Sequence, residues 1–331
     1  RGHAAAMHTA SIELPSSLSS AFVRQGSVFS TAQAVAAGLH HREITARVAR
    51  GEWVRLRRGA YTTGAVHEAS DEPARHVLAA RAAHLTLSAR HAFSHTTAAV
   101  LHGLPLHELD LGEVHVTHLD GQGSGRHESK VWHHMGAVPT ADLTRAGHLP
   151  ALSLPRTAFD VARVATPGSA LVVADAALRR GATSADLRRQ LEAGMDWPGA
   201  RAASHVLPLA DGRAESAGES LARLVFHDLG LSPDVLQLDV VTDRGEARVD
   251  FAWTRWRIAG EFDGRIKYGR LVRPGESASD VAWNERQREL AIERAGWIVV
   301  RFTWAELRDH ELVRHRILEA MARARRQFGL C

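Results

Sequence analysis

The stretch from residue 235 to 263 confines the last third of this chain to a narrow set of folds. VLQLDVVT, EARVDFAWT and WRIAGEFDG are three β-rich runs separated by short turns, one at Asp243-Arg244-Gly245 and one after Trp253. Runs joined that tightly pair as an antiparallel meander. ESAGESLARLVFHDLG precedes them as a helix, with Leu221, Leu224 and Val225 at helical spacing and Gly230 as its stop. A charged helix, SDVAWNERQRELAIERAG, follows, then the apolar strand WIVVRFT and a final amphipathic helix. The predicted order is α-β-β-β-α-β-α, with most of tryptophans 253, 256, 283, 297 and 304 in its core.

Acidic residues interrupt this apolar pattern at particular points. Asp250 lies inside the second strand, and Glu261 and Asp263 lie two apart near the end of the third, hence on one face. Antiparallel pairing can bring Asp250 beside Glu261, and Glu219 on the preceding helix can add a fourth carboxylate. Taken singly, each is an ordinary solvent-facing charge; gathered, they repel unless a cation neutralises them or their pKa values rise. Hard oxygen ligands of this kind suit Mg²⁺ or Mn²⁺. Lys267, in GRIKYGR, is one of two lysines in a chain whose other basic side chains are arginines. A lysine can be tuned to orient or deprotonate a water, so it is a catalytic candidate.

The 331 residues predict more than one domain. Residues 1–27 read as a tag or N-terminal arm with a leading helix; the stretch before Met7 resembles an added tag. Residues 28–68 read as a winged helix-turn-helix: a helix through TAQAVAAG capped by Ser30 or Thr31 and stopped at Gly38, a helix through HHREITARVARG, then the basic ribbon EWVRLRRGAYTT. Arg42, Arg47, Arg50, Arg55, Arg57 and Arg58 make it a candidate DNA-binding face, the helix arginines toward the major groove and the ribbon arginines on phosphates. Trp53, Arg55 and Arg57 alternate with Val54 and Leu56, and Trp53 and Tyr61 pack the wing onto the helices.

Residues 69–205 read as a mostly helical α/β domain with two strand-like runs, GEVHVTHL and KVWHHM, around the polar loop DGQGSGRHES. LPALSLP, residues 149–155, reads as an extended connector, and residues 206–331 form the last domain. His91, His95 and His102, near His107, are expected as packing or surface histidines rather than a metal site, and Ser94-His95-Thr96 has no nucleophile elbow.

Composition narrows the function classes. With 45% apolar and 24% charged residues the chain is of globular type, and no apolar run is long enough for a membrane span. The single cysteine, Cys331, excludes an internal disulfide framework and a cysteine-ligated zinc site. A pI near 9.9 is compatible with a nucleic-acid partner. The expected setting is cytoplasmic, with nucleoid association.

Two resemblances follow from these motifs. GES in the helix, RVDFAW, IAGEFDG and GWIVVRFTWAEL make the segment from Glu219 onward resemble the very-short-patch-repair-like branch of the PD-(D/E)XK nuclease superfamily. That likeness implies a metal-dependent phosphodiesterase fold in which Asp250 and Glu261 are metal ligands and Glu219 is the helix carboxylate. Asp263 stands where the motif places lysine, so it becomes a third candidate ligand and Lys267 the substitute for the lysine. Residues 28 to about 165 resemble the AbiEi-type antitoxins of type IV toxin–antitoxin systems, through RRGAY, FSHTTAAVLHGLP and LPRTAFDVA. That likeness implies a DNA-binding winged helix joined to an α/β interaction domain. The expected function is a Mg²⁺- or Mn²⁺-dependent endonuclease in DNA repair or defence, acting on duplex, mismatched or modified DNA, with a homodimer as one assembly. The alternative is a non-enzymatic, antitoxin-like transcriptional regulator with a degenerate nuclease domain; a weaker one is an RNA-directed nuclease.

Overall fold

The computed structural model describes residues 14–120, 125–264 and 278–330. It is a mixed α/β protein that divides into two compact units: residues 1–104 with 109–157, and residues 105–108 with 158–331.

The first unit begins with α1 (Ser16–Arg24), β1 (Phe29–Ser30), α2 (Thr31–Ala36), α3 (His41–Ala49), β2 (Trp53–Arg57) and β3 (Ala60–Thr63). Ser30 starts α2 through a reciprocal capping box: its hydroxyl accepts the Gln33 amide, and the Gln33 side chain accepts the Ser30 amide at 2.8 Å. The three strands form one sheet in the order β1-β3-β2. Phe29, Trp53 and Tyr61 pack with Leu18, Ala34, Leu39 and Ile44, and the Phe29 and Trp53 rings meet edge-on at 4.7 Å. Helix, turn, helix and ribbon share this apolar centre, which is the winged-helix form.

The chain continues through α4 (Gly64–Ala69), α5 (Glu72–Thr86), β4 (His91–Phe93), α6 (His95–Leu101), β5 (Val114–His118), β6 (Arg126–Glu128), β7 (Val131–Met135), β8 (Leu143–Ala146), β9 (Leu149–Leu152) and α7 (Leu154–Ala162). Here the structure adds strands to the two runs that the sequence offered in a helix-rich segment. Six strands of three to five residues form one sheet, in the order β6-β7-β5-β4-β9-β8. The polar loop supplies β6 from residue 126 onward, its residues 121–124 lying outside the described residues. The expected connector at 149–155 is β9 and the first turn of α7. Such short strands carry too few residues for their alternation to show in sequence.

The second unit holds α8 (Pro167–Arg179), α9 (Ser184–Ala193), α10 (Ala200–Val206), α11 (Ala217–Asp228), β10 (Val235–Thr242), β11 (Gly245–Trp253), β12 (Ile258–Asp263), α12 (Ala278–Arg294), β13 (Ile298–Thr303) and α13 (His310–Phe328). Helices α8–α10, read from sequence as part of a middle domain, lie in this unit. Helix α8 is tied to α11 by the buried Asp175–Arg223 pair at 2.7 Å. From α11 onward the observed order is α-β-β-β-α-β-α, with sheet order β10-β11-β12-β13 and β13 parallel to β12. Phe226, Phe251, Trp253, Phe302 and Ile317 form its main core. Of the five tryptophans expected mostly in that core, Trp253 is buried and Trp283 is 65% exposed. No described helix is long and apolar enough to cross a membrane.

Candidate functional site

Two candidate sites follow from these elements, one in each unit. In the first, the six arginines divide by environment. Arg42 and Arg50 are exposed on or just beyond α3, and Arg55 and Arg58 are exposed on the wing. Arg47 lies over the Trp53 ring, 5.3 Å from its centroid, and both Arg47 and Arg50 reach Glu52. That leaves Arg42, Arg55 and Arg58 exposed and without an ion pair among the described residues. Arg57 departs from the expected alternation because the β2–β3 register shifts between Arg55 and Arg57. Its Nε and Nη1 are buried and find no hydrogen-bond partner among the described residues, and burial pushes its pKa down. Arg57 therefore holds its charge less open to solvent than the exposed Arg55 and Arg58.

The second site begins with a close approach of helix to sheet. Gly218 on α11 lies against Phe262 of β12 so tightly that a Cβ there would fall 1.9 Å from the ring. Glu219 is thereby held over the sheet, 7% exposed. Its carboxylate accepts from the Ser216 hydroxyl (2.7 Å), the Glu215 amide (2.8 Å) and the Gln237 side chain (2.9 Å). Ser216 also caps α11 by accepting the Glu219 amide, so Glu219 serves the helix start as well as the site.

Strands β11 and β12 pair as Trp253↔Ile258, Ala252↔Ala259 and Phe251↔Gly260, and Asp250 and Glu261 stand just beyond the end of that ladder. The Phe262 amide donates to Oδ2 of Asp250 at 2.8 Å. Burial, seconded by the charges of Glu219 and Glu261, raises the Asp250 pKa from 3.8 to about 6 against the opposing pull of that amide and of Arg288. Three of the acids read from sequence thus share one electrostatic environment.

Glu261 is 8% exposed and engaged by two cations. Arg288 of α12 hydrogen-bonds Oε1, and Nε of Arg301, paired with Glu261 in the β12–β13 register, lies 3.3 Å from Oε2. That Nε is near enough for charge pairing but makes no aligned hydrogen bond. Arg301 also reaches Glu285 at 2.8 Å and Glu289 at 3.3 Å. Asp263 lines a cleft of about 60 Å³ with Glu261, Phe262, Gly264, Glu285 and Arg301, room for a few waters. Lys267 lies outside the described residues.

Sequence reasoning missed Glu285, Arg288 and Arg301. Their signals were present: Glu285, Arg288 and Glu289 recur at three- and four-residue spacing on α12, and Arg301 is the only charge in the apolar run WIVVRFT. The carboxylates do not converge on a single point. Among the described residues, the group of three possible ligand atoms lying within 4.8 Å of one another is formed by His95, His115 and His134 instead.

The fold of residues 16–63 places them in the winged-helix class. Residues 17–63 match the family described as transcriptional regulator, AbiEi antitoxin. Two uncharacterized proteins from two strains of Mycobacterium tuberculosis are each 40% identical to this chain over 147 residues, which is 44% of this chain and 51% of theirs. The chain thus spans about half the length of the curated relatives it matches.

Proposed function

We propose that this chain is a DNA-binding, divalent-metal-dependent phosphodiesterase: the winged helix holds duplex DNA, and the acids on β11 and β12 serve hydrolysis in a repair or defence role. The observation that carries this reading is the placing of Asp250: its Oδ2 accepts the amide of Phe262, next to the buried Glu261, and burial with the charges of Glu219 and Glu261 pushes its pKa up to about 6. Buried acids gathered from two strands and the facing helix are suited to a cation. Their oxygens are the donors Mg²⁺ and Mn²⁺ prefer. Asp250 and Glu261 would hold the ion, with Asp263 beside them, while the filled hydrogen bonds of Glu219 make it a positioning group. Such an ion supplies Lewis acidity at phosphoryl oxygens and lowers the pKa of a bound water. Arg288 and Arg301 orient Glu261, and Arg301 places positive charge in the lining of the cleft, where phosphate oxygens can accept from a guanidinium.

The test is cleavage of duplex, mismatched, modified and single-stranded DNA, and of RNA, with Mg²⁺ or Mn²⁺. Asp250→Asn and Glu261→Gln should each abolish cleavage while leaving the unit folded. Lys267→Met should lower the rate about 10²–10⁴-fold if that lysine orients the attacking water. A wild-type chain that cuts none of these substrates, and takes up no divalent cation at the acids in calorimetry, would leave the second reading. In that reading the chain is a non-enzymatic, antitoxin-like regulator. Two observations favour it: the match of residues 17–63, and the occupation of Glu261 by two arginines. Sequence-specific duplex binding unaffected by Asp250→Asn would then be expected.

A further inference from the structure

Histidines gather on both faces of the six-stranded sheet. Strands β5 and β7 run parallel with His115 opposite Trp132, Val116 opposite His133, Thr117 opposite His134 and His118 opposite Met135. Side chains alternate across a strand, so His115, Thr117, Trp132 and His134 share one face, and His118 and His133 the other. His95 joins the first set from the start of α6, 2% exposed and with a backbone φ of +49°, a left-handed conformation costly for any residue with a Cβ.

We infer that His95, His115 and His134 form a binding site for a divalent transition metal of the zinc class, distinct from the acids of the second unit. One ring nitrogen from each lies within 4.8 Å of the others. Nδ1 of His115 and Nε2 of His134 are 2.9 Å apart. Two imidazole nitrogens facing each other share a single proton, and a metal ion in its place satisfies both lone pairs. Tetrahedral zinc at 2.0–2.1 Å separates its nitrogens by about 3.4 Å, so binding asks only small ring movements of this trio. The rings already stack: His95 on His134 at 3.9 Å, and Trp132 on both His134 (5.7 Å) and His115 (5.8 Å).

The surroundings orient the trio in the manner of a metal site. Nδ1 of His95 is hydrogen-bonded to the Ser94 hydroxyl at 3.0 Å, which directs Nε2 toward the ion. The His115 amide donates to Thr97 Oγ1 at 2.8 Å, and that oxygen is 2.9 Å from Nε2 of His76, whose Nδ1 is 2.8 Å from the Leu111 carbonyl. Thr117, opposite His134 and on the same face, is 2% exposed, yet its Oγ1 has no hydrogen-bond partner among the described residues. Three imidazoles leave a fourth ligand position to water, and a metal-bound water on this face is a partner such a buried hydroxyl lacks. The ion would tie α6, β5 and β7 together, so its binding free energy becomes folding free energy of the first unit.

The experiment is calorimetric titration of the full chain, stripped with EDTA and returned to excess Mg²⁺, with ZnCl₂ near neutral pH, alongside thermal melting. The wild type should take up one equivalent of Zn²⁺ at this site and melt at higher temperature with it. His115→Gln and His134→Gln should each lower the affinity by at least the roughly 10–100-fold that outer-shell changes alone cost. His91→Gln, on the opposite face, and Asp250→Asn, in the other unit, should leave it unchanged. Undiminished Zn²⁺ binding by a His115→Gln/His134→Gln double variant, or no binding by the wild type, overturns the assignment. Should a variant fail to fold, the wild-type chain loaded with Co²⁺ decides alone: visible d–d bands of low-symmetry nitrogen coordination support the site, and an aquo-ion spectrum refutes it.

Discussion

Replacing Asp250 by asparagine should stabilise the second unit, and the gain should depend on pH in a way that no packing effect reproduces. In the unfolded chain this carboxyl titrates near 3.8; in the folded unit it titrates near 6, chiefly because it is buried and then because Glu219 and Glu261 face it. Below 3.8 both states hold the proton and the group contributes nothing. Between the two values the folded state holds the proton more tightly, so stability falls as pH rises, and above about 6 the full penalty is present. At about 1.4 kcal/mol per pKa unit, the gap is a ceiling of roughly 3 kcal/mol. Asparagine removes that charge while its side-chain oxygen can still accept the Phe262 amide. The measurement is thermal melting in EDTA from pH 4 to 8, followed by tryptophan fluorescence. Asp250→Asn should melt several degrees above the wild type at pH 7.5, up to about 10 °C at the ceiling, and the gap should close toward pH 4. Mg²⁺ at pH 7.5 should narrow it from the other side by raising the wild type alone. A variant no more stable than the wild type at pH 7.5, or offset equally at every pH, would refute the electrostatic reading of this site.

Arg42→Glu, Arg55→Glu and Arg58→Glu together should weaken duplex affinity and reduce its salt slope by about one unit for each phosphate no longer neutralised, measured by fluorescence anisotropy between low and moderate salt. Arg57→Gln should leave that slope nearly unchanged, because the Arg57 guanidinium is partly buried. Gly218→Ala should cost about 1–3 kcal/mol in urea unfolding, since its Cβ would meet the Phe262 ring at 1.9 Å and push α11 from the sheet. Trp53→Ala should cost about 3–5 kcal/mol and abolish DNA binding with the fold of the wing, read by circular dichroism and anisotropy together, because Trp53 is 1% exposed at the centre of that core.

Much of the second unit was legible because its signals are local. The turn at Asp243-Arg244-Gly245, the alternating runs around it and the helical spacing of Leu221, Leu224 and Val225 all reappear as α11, β10 and β11. Asp250 was conspicuous for the same reason: a charge inside an apolar strand is visible without knowing its neighbours. Ser30 and Gly38 bracketed α2 by capping chemistry confined to one turn at each end. What only the tertiary structure decided involves partners far apart in the chain. Strand β4 is three residues long and exists because it lies between β5 and β9, from segments more than twenty and fifty residues later. Arg57 was turned out of the basic ribbon by a register shift that no residue pattern announces. Arg288 and Arg301 reached Glu261 only when α12 and β13 packed against β12, and His95, His115 and His134 met only when the sheet brought β5 and β7 side by side beneath α6. Local propensity specifies elements through bonds between near neighbours in the chain, whereas these sites depend on contacts whose loop-closure entropy only the cooperative burial of a whole core can offset.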